Sequence, residues 1–260
     1  MQDHTQPLHG LWGEGHYLFG GQKRLFVNPA LGCESGCRYC YLPTLGLKLM
    51  DKPRVTSVAS LIQALDSSIA WIKGQTLISV GCYTEPWART IKPNTRSLLA
   101  YFREHGNPLQ IATKQPLTGE DVSFFAKLFK NSKSFAFFVS LPVATNIKQL
   151  EPNTATYSDR VGNIAMLLNA GVPVVLYIKP VLPRETIKNL RKYVHIVQRY
   201  RIPVVVGAMF ALHGHGNKAP IAPFSGLSED SNQDARIIIK ELSRFAPVFE
   251  NSPECMKVFQ

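Results

Sequence analysis

Three cysteines, Cys33, Cys37 and Cys40, stand at a CxxxCxxC spacing within Val27–Leu42, just after a short apolar run. Thiolates so spaced can converge on one small inorganic centre. Three of them can hold three irons of a [4Fe–4S] cluster and leave the fourth iron open. An open metal position suits a site that binds a substrate or cofactor, whereas a structural site closes its coordination. A zinc site, or thiols packed in a core, is the alternative reading. Zinc sites usually come as two pairs with a fourth ligand nearby, and the next cysteine here is Cys82.

The elements that would position such a loop follow from periodicity. Short β-branched or aromatic runs at Leu25–Asn28, Thr76–Val80, Leu109–Thr113, Phe135–Leu141, Val172–Ile178 and Pro203–Ala208 read as strands. Helical-period segments lie between them. Val58, Leu61, Ile62, Leu65, Ile69 and Ile72 share one face of the first, and Val122, Phe125, Ala126 and Phe129 one face of the third. Thr95–His105, Asp159–Asn169 and Ile187–Tyr200 fill the other gaps, and Asp234–Phe245 reads as a closing helix. Strands alternating with helices predict an α/β fold with a parallel sheet, a partial (βα)6 barrel of the TIM type, with a doubly wound open sheet as the alternative. The expected organisation is a lead-in over 1–24, a core over 25–210, and a C-terminal loop and closing helix over 211–260.

Composition narrows the setting. With 260 residues, 45% of them hydrophobic, the chain can bury a full core. No apolar run is long enough to span a bilayer and Met1–Gly10 is polar, so the expectation is a cytoplasmic protein with no membrane association. Five cysteines, three of them clustered, do not form an even disulfide framework and point to a reducing compartment. A net charge of +11 favours a polyanionic partner, DNA or another nucleic acid above all. Arg184, Lys188, Arg191, Lys192, Arg199 and Arg201 gather against a single Glu185, and charge alone leaves a solvated outer helix face as an equal alternative for them.

In a barrel the chemistry collects just past the C-terminal ends of the strands. Those positions hold Gly81-Cys82-Tyr83-Thr84-Glu85-Pro86 after the second strand, Lys114 after the third and Ser140 at the end of the fourth. A carboxylate or hydroxyl suits an ammonium. A lysine in a barrel mouth needs an anion, unless it snorkels at the rim. Glu151-Pro152 and Arg160 can cap and pair, or touch a cofactor. His213 and His215 stand in a glycine-rich loop, where a surface loop is the plainer reading, as it is for His9 and His16. Cys255 reads as a buried or peripheral thiol, a second hydrogen donor only if the tail crosses the barrel mouth.

The cysteine spacing, with aromatic Tyr39 before the last cysteine, resembles the cluster loop of the radical S-adenosylmethionine (SAM) enzymes. Arg38-Tyr39-Cys40-Tyr41-Leu42, the Cys82-x-Thr84-acid turn, Thr113-Lys114 and Ser140 together resemble the spore photoproduct lyase family. The resemblance covers roughly Leu25 to Ala208. It implies the radical-SAM barrel and two cofactors, a [4Fe–4S] cluster on Cys33, Cys37 and Cys40 and SAM on its open iron. Reductive cleavage of SAM would give a 5′-deoxyadenosyl radical that abstracts hydrogen from a thymine photolesion in DNA, followed by carbon–carbon cleavage as in a lyase. It further implies Thr84, Glu85, Lys114 and Ser140 as SAM contacts, Cys82 as hydrogen donor, and Tyr39 and Tyr41 as its relay. A flavodoxin- or ferredoxin-type electron donor and a monomeric state are expected with it. The same radical chemistry on RNA, a nucleotide or a peptide is the alternative, and a non-catalytic iron–sulfur or zinc protein that binds nucleic acid is a third reading. In this chain Tyr83-Thr84 replaces the glycine pair of the family's GGEP-like segment, and only 32 residues precede Cys33.

Overall fold

The computed structural model describes residues 17–45, 47, 49–208 and 233–260; His9, His16, His213 and His215 lie outside them. Six parallel strands form as expected: β2 (Arg24–Val27), β5 (Leu77–Val80), β6 (Leu109–Thr113), β7 (Phe135–Ser140), β8 (Val174–Val181) and β9 (Val204–Ala208). Two further strands extend the sheet. β1 (Leu18–Gly21), within the segment read as a lead-in, pairs antiparallel with β2, and β10 (Val248–Phe249) pairs parallel with β9. Among the described residues the order is β1-β2-β5-β6-β7-β8-β9-β10, with no pairing between the two edge strands, so the barrel they form is open. β3 (Ala30–Leu31) and β4 (Arg54–Val55) make a small separate ribbon beside the cysteine loop.

Helices cover the outer face: α1 (Val58–Asp66), α2 (Lys92–Glu104), α3 (Gly119–Phe129), α5 (Tyr157–Asn169), α6 (Leu190–Tyr200) and α7 (Gln233–Leu242), with a single turn α4 (Ile147–Leu150) before α5. Capping boxes start two of them: Thr118 with Asp121 for α3 and Thr156 with Asp159 for α5. α1 is shorter than its apolar period suggests. The Ser67 hydroxyl donates to the Gln63 carbonyl and the Ser68 hydroxyl accepts from the Ala70 amide, which ends the helix and leaves Ile69 90% exposed. α2 and α5 run out at Gly106 (φ +71) and Gly171 (φ +75), the left-handed positions a helix end needs.

Both faces of the sheet are buried, which is why the strands read as continuous apolar runs. In β7, Phe135, Phe137 and Val139 pack outward on the helices, while Ala136 and Phe138 belong to a second cluster inside the barrel. That inner cluster gathers Leu77, Ala136, Val175 and Val205, from the starts of their strands, around Cys255 and Met256 of α8 (Ser252–Met256). The C-terminal helix therefore plugs the barrel at the end opposite the cysteine loop. Cys255 is fully buried there, so it cannot meet a radical formed at the mouth. Burial pushes its thiol up to about 12. Alkylation with iodoacetamide at mildly alkaline pH should leave Cys255 unmodified in the folded protein and label it in denaturant, as read by peptide mass mapping. Rapid labelling of the native chain would contradict the plug.

Among the described residues no helix is long and apolar enough to cross a membrane. The basic run spreads from the loop after β8 along α6. α6 carries Tyr193, Ile196 and Val197 inward, and Arg191 and Arg199 outward along the flank. Lys192 is taken up by the Ala144 carbonyl (3.0 Å) and the Tyr157 ring, and Lys188 by Glu185 (2.5 Å).

Candidate active site

β2 ends in Asn28, whose buried side chain accepts from the Tyr83 amide at 2.7 Å, while the Gly32 amide donates to the Tyr83 carbonyl at 3.0 Å. These two bonds tie the start of the cysteine loop to the turn after β5. Cys37 packs with Tyr39, Val143 and Leu182. Cys33 and Cys40 flank a cluster of Leu31, Leu42 and Leu47, and the Cys33 sulfur accepts from the Ser35 amide at 3.4 Å.

The three thiols are close enough to act on one another electrostatically, and Lys114 acts on all three. Burial pushes each of them up, Cys40 to about 12. Among the described residues no three His, Cys, Asp or Glu side chains gather as a site for a single ion. A [4Fe–4S] cube asks less of them, because each thiolate takes a separate iron. Three thiols on one loop, a lysine beside them and the Thr84 hydroxyl buried without a partner fit a cluster with an amino-acid-like cofactor above it.

The expected cofactor contacts sit at the rim in different states. Lys114 is half-buried, 5.9 Å from the centroid of the Tyr39 ring, with Cys37, Glu151 and Glu85 holding its ammonium charged against the cost of burial. Ser140 is buried at the end of β7. Glu85 is engaged by the chain itself. Its carboxylate accepts from the Thr113 hydroxyl, the Trp87 amide (3.2 Å) and the Lys114 amide (3.0 Å). It fixes the turn after β5 to the end of β6, and so places Thr84 and Lys114 relative to each other.

Tyr39 and Tyr41 part ways. The Tyr41 hydroxyl donates to the Cys82 carbonyl at 2.6 Å and lies 3.2 Å from the Cys82 sulfur. The Tyr39 hydroxyl instead donates to Glu151, on the far side of the loop. Glu151 is paired with Arg160 at 2.5 Å, both side chains wholly buried. Arg160 also donates to the carbonyls of Ala155 and Ser140 and to the Thr154 hydroxyl. This network locks the cysteine loop onto the segment between β7 and α5. Burial pushes the Cys82 thiol up, against the Tyr41 hydrogen bond and the positive charges of Arg24 and Lys179, so it stays an S–H group.

Arg24, Tyr177 and Lys179 were not expected at the site. They occupy inner-facing positions, Arg24 at the start of β2, Tyr177 level with Ser140 and Lys179 beyond it, on strands whose ends fall one or more residues beyond the apolar runs. Alternation was the available signal: Arg24 lies two residues before Phe26, and Lys179 two after Tyr177.

No protein-family model and no curated protein sequence matches the chain. Solved structures do. SuiB of Streptococcus suis superposes with a TM-score of 0.61 at 14% identity over 90% of this chain, and SuiB bound to S-adenosylmethionine gives the same score over 91%. The chain spans about half of SuiB, 50% and 52% of its length. A spore photoproduct lyase mutant with bound AdoMet and dinucleoside spore photoproduct gives 0.60 at 13% identity, over 87% of this chain and 76% of that one. Spore photoproduct lyase complexed with dinucleoside spore photoproduct gives 0.56 at 18% identity, over 84% and 74%. This chain thus has the fold of SuiB and spore photoproduct lyase, an open, partial (βα)6 barrel.

Proposed function

We propose that this chain is a radical-SAM enzyme in which Cys33, Cys37 and Cys40 hold a [4Fe–4S] cluster and the barrel mouth holds SAM. Bound together, cluster and SAM supply a 5′-deoxyadenosyl radical on one-electron reduction. The chain's residues do the positioning. Lys114 meets the SAM carboxylate, the unpartnered Thr84 hydroxyl accepts from its ammonium, and Ser140 lines the same rim. Glu85 acts through Thr84 and Lys114, which it holds in place.

The observation that carries the reading is the Cys82–Tyr41 pair, set at the mouth beside the three-cysteine loop. A thiol S–H is weak enough to give a hydrogen atom to a carbon radical on the substrate. The sulfur radical left behind takes the hydroxyl hydrogen of Tyr41. The one-electron donor, a flavodoxin- or ferredoxin-type protein, restores Tyr41 together with a proton. The substrate in this reading is a thymine photolesion in DNA, since spore photoproduct lyase shares the fold and is seen with dinucleoside spore photoproduct.

Anaerobically reconstituted protein, given SAM, dithionite and UV-irradiated DNA, should consume the lesion and release thymine residues, read by chromatography. Cys82→Ala should keep its iron and still cleave SAM, while lesion radicals divert to adducts or turnover stalls. Identical product distributions for the two proteins would remove Cys82 from the chemistry. SAM cleavage with no lesion turnover would move the same chemistry to another substrate.

A further inference from the structure

The sequence resemblance implies Tyr39 as the partner of Tyr41 in the relay. The Tyr39 hydroxyl, however, is taken by Glu151, in the buried pair with Arg160 that locks the loop. Tyr41 meets a different tyrosine. Its ring centroid lies 6.3 Å from that of Tyr83 at an interplanar angle of 64°, an edge-to-face contact. Tyr83 is itself held in three ways. Its amide donates to the Asn28 side chain at 2.7 Å, and its carbonyl accepts from the Gly32 amide at 3.0 Å. Its ring stacks on Phe19 of β1, with centroids 4.6 Å apart and planes within 8°. Phe19 stacks in turn on Phe26 of β2 at 4.4 Å, and the Arg24 guanidinium lies 4.3 Å from the Phe26 ring centroid. This column sets the Tyr83 ring against Tyr41, on the turn after β5, where Tyr83 is half-buried.

Sulfur–hydrogen and tyrosine oxygen–hydrogen bonds are of similar strength, so transfer from Tyr41 to a Cys82 radical reverses readily unless the radical is carried off. The electron donor that ends it is a protein and cannot enter the barrel, so the path must finish at the rim. Phenylalanine is too hard to oxidise to carry a radical further, so Phe19 and Phe26 hold Tyr83 and the path stops there. We propose that Tyr83 is the second tyrosine of the relay, in the place that the resemblance gives to Tyr39. The O–H bond of Tyr83 breaks and that of Tyr41 re-forms, so one electron and one proton pass from Tyr83 to the Tyr41 radical. One electron from the flavodoxin- or ferredoxin-type donor and one proton from water restore Tyr83, and Tyr41 is restored by way of it. This rests on the chemistry of the Cys82–Tyr41 pair in the reading above. Tyr83 stands where the family's GGEP-like segment has glycine, so this end of the relay belongs to this chain.

The test is electron paramagnetic resonance of the anaerobically reconstituted protein, freeze-quenched during turnover with SAM, dithionite and UV-irradiated DNA. With the easily oxidised 3-aminotyrosine at position 83, an aminotyrosyl radical signal should appear, and Tyr41→Phe should abolish it. Tyr83→Phe keeps the ring and its stack on Phe19 but has no hydroxyl to oxidise. It should complete a first turnover and then lose the repeated turnover of the wild type. If Tyr83 only packs, Tyr83→Phe turns over like the wild type and no radical appears at position 83. That result, or a stall in Tyr39→Phe with continued turnover in Tyr83→Phe, would overturn the proposal. Failure of the reading above shows separately, in a wild type that leaves SAM or the lesion intact, and the relay falls with it.

Discussion

Alanine at Cys33, Cys37 or Cys40 is expected to abolish the cluster, taking bound iron from about four atoms per chain to near none. The size of the effect follows from the donor set. The three thiols sit on one loop, and the other two cysteines are committed elsewhere: Cys82 to Tyr41, and Cys255 inside the plug at the opposite end. No neighbouring thiol can therefore take the place of a lost one. The fold itself should survive, because the loop's contacts with Asn28, Tyr83 and Glu151 do not pass through the cysteine side chains. Iron analysis and absorbance of the anaerobically reconstituted variants read the effect. Retention of a full cluster by any one of them would show that the ligands lie elsewhere.

The largest loss of stability is expected at Glu151. Glu151→Gln leaves Arg160 buried with its charge uncompensated, and breaking such a pair typically costs about 3–5 kcal/mol. In a chain of this length that corresponds to a fall in melting temperature of about 10 °C. Glu151 also receives the Tyr39 hydroxyl, so the variant should loosen the cysteine loop and load less iron. Tyr39→Phe removes a single hydrogen bond to that carboxylate and should cost about 1.5–3 kcal/mol. Replacing Glu151 and Arg160 together by Met should recover much of the single variant's loss, because no lone charge remains. Differential scanning calorimetry separates these cases. A Glu151→Gln protein as stable as the wild type would mean that the pair does not hold the loop.

The main strands were legible because the sheet is buried on both faces, so that Phe135–Ser140 and its neighbours announce themselves as unbroken apolar runs. The edges were not. β1 reads Leu-Phe-Gly-Gly and β10 is only two residues long, too little pattern for either to stand out. Ile69 and Ile72 kept the helical period past the end of α1, but the serine hydroxyls at 67 and 68 had already satisfied the chain locally. At the site, spacing located the cysteine loop and the strand-end residues. It did not distinguish Tyr39 from Tyr41, which alternate around Cys40 in sequence and turn to opposite partners in space. Arg24 and Lys179 escaped notice because each stands at the margin of an apolar run, where a charge reads as a boundary rather than as an inner wall.

The central claim is tested most directly by incubating anaerobically reconstituted wild-type protein with SAM and dithionite and measuring 5′-deoxyadenosine and methionine. The account predicts both products in equal amounts, dependent on the cluster and absent from the Cys37→Ala protein. A fully iron-loaded chain that leaves SAM intact, or a native chain that carries only zinc, would contradict it.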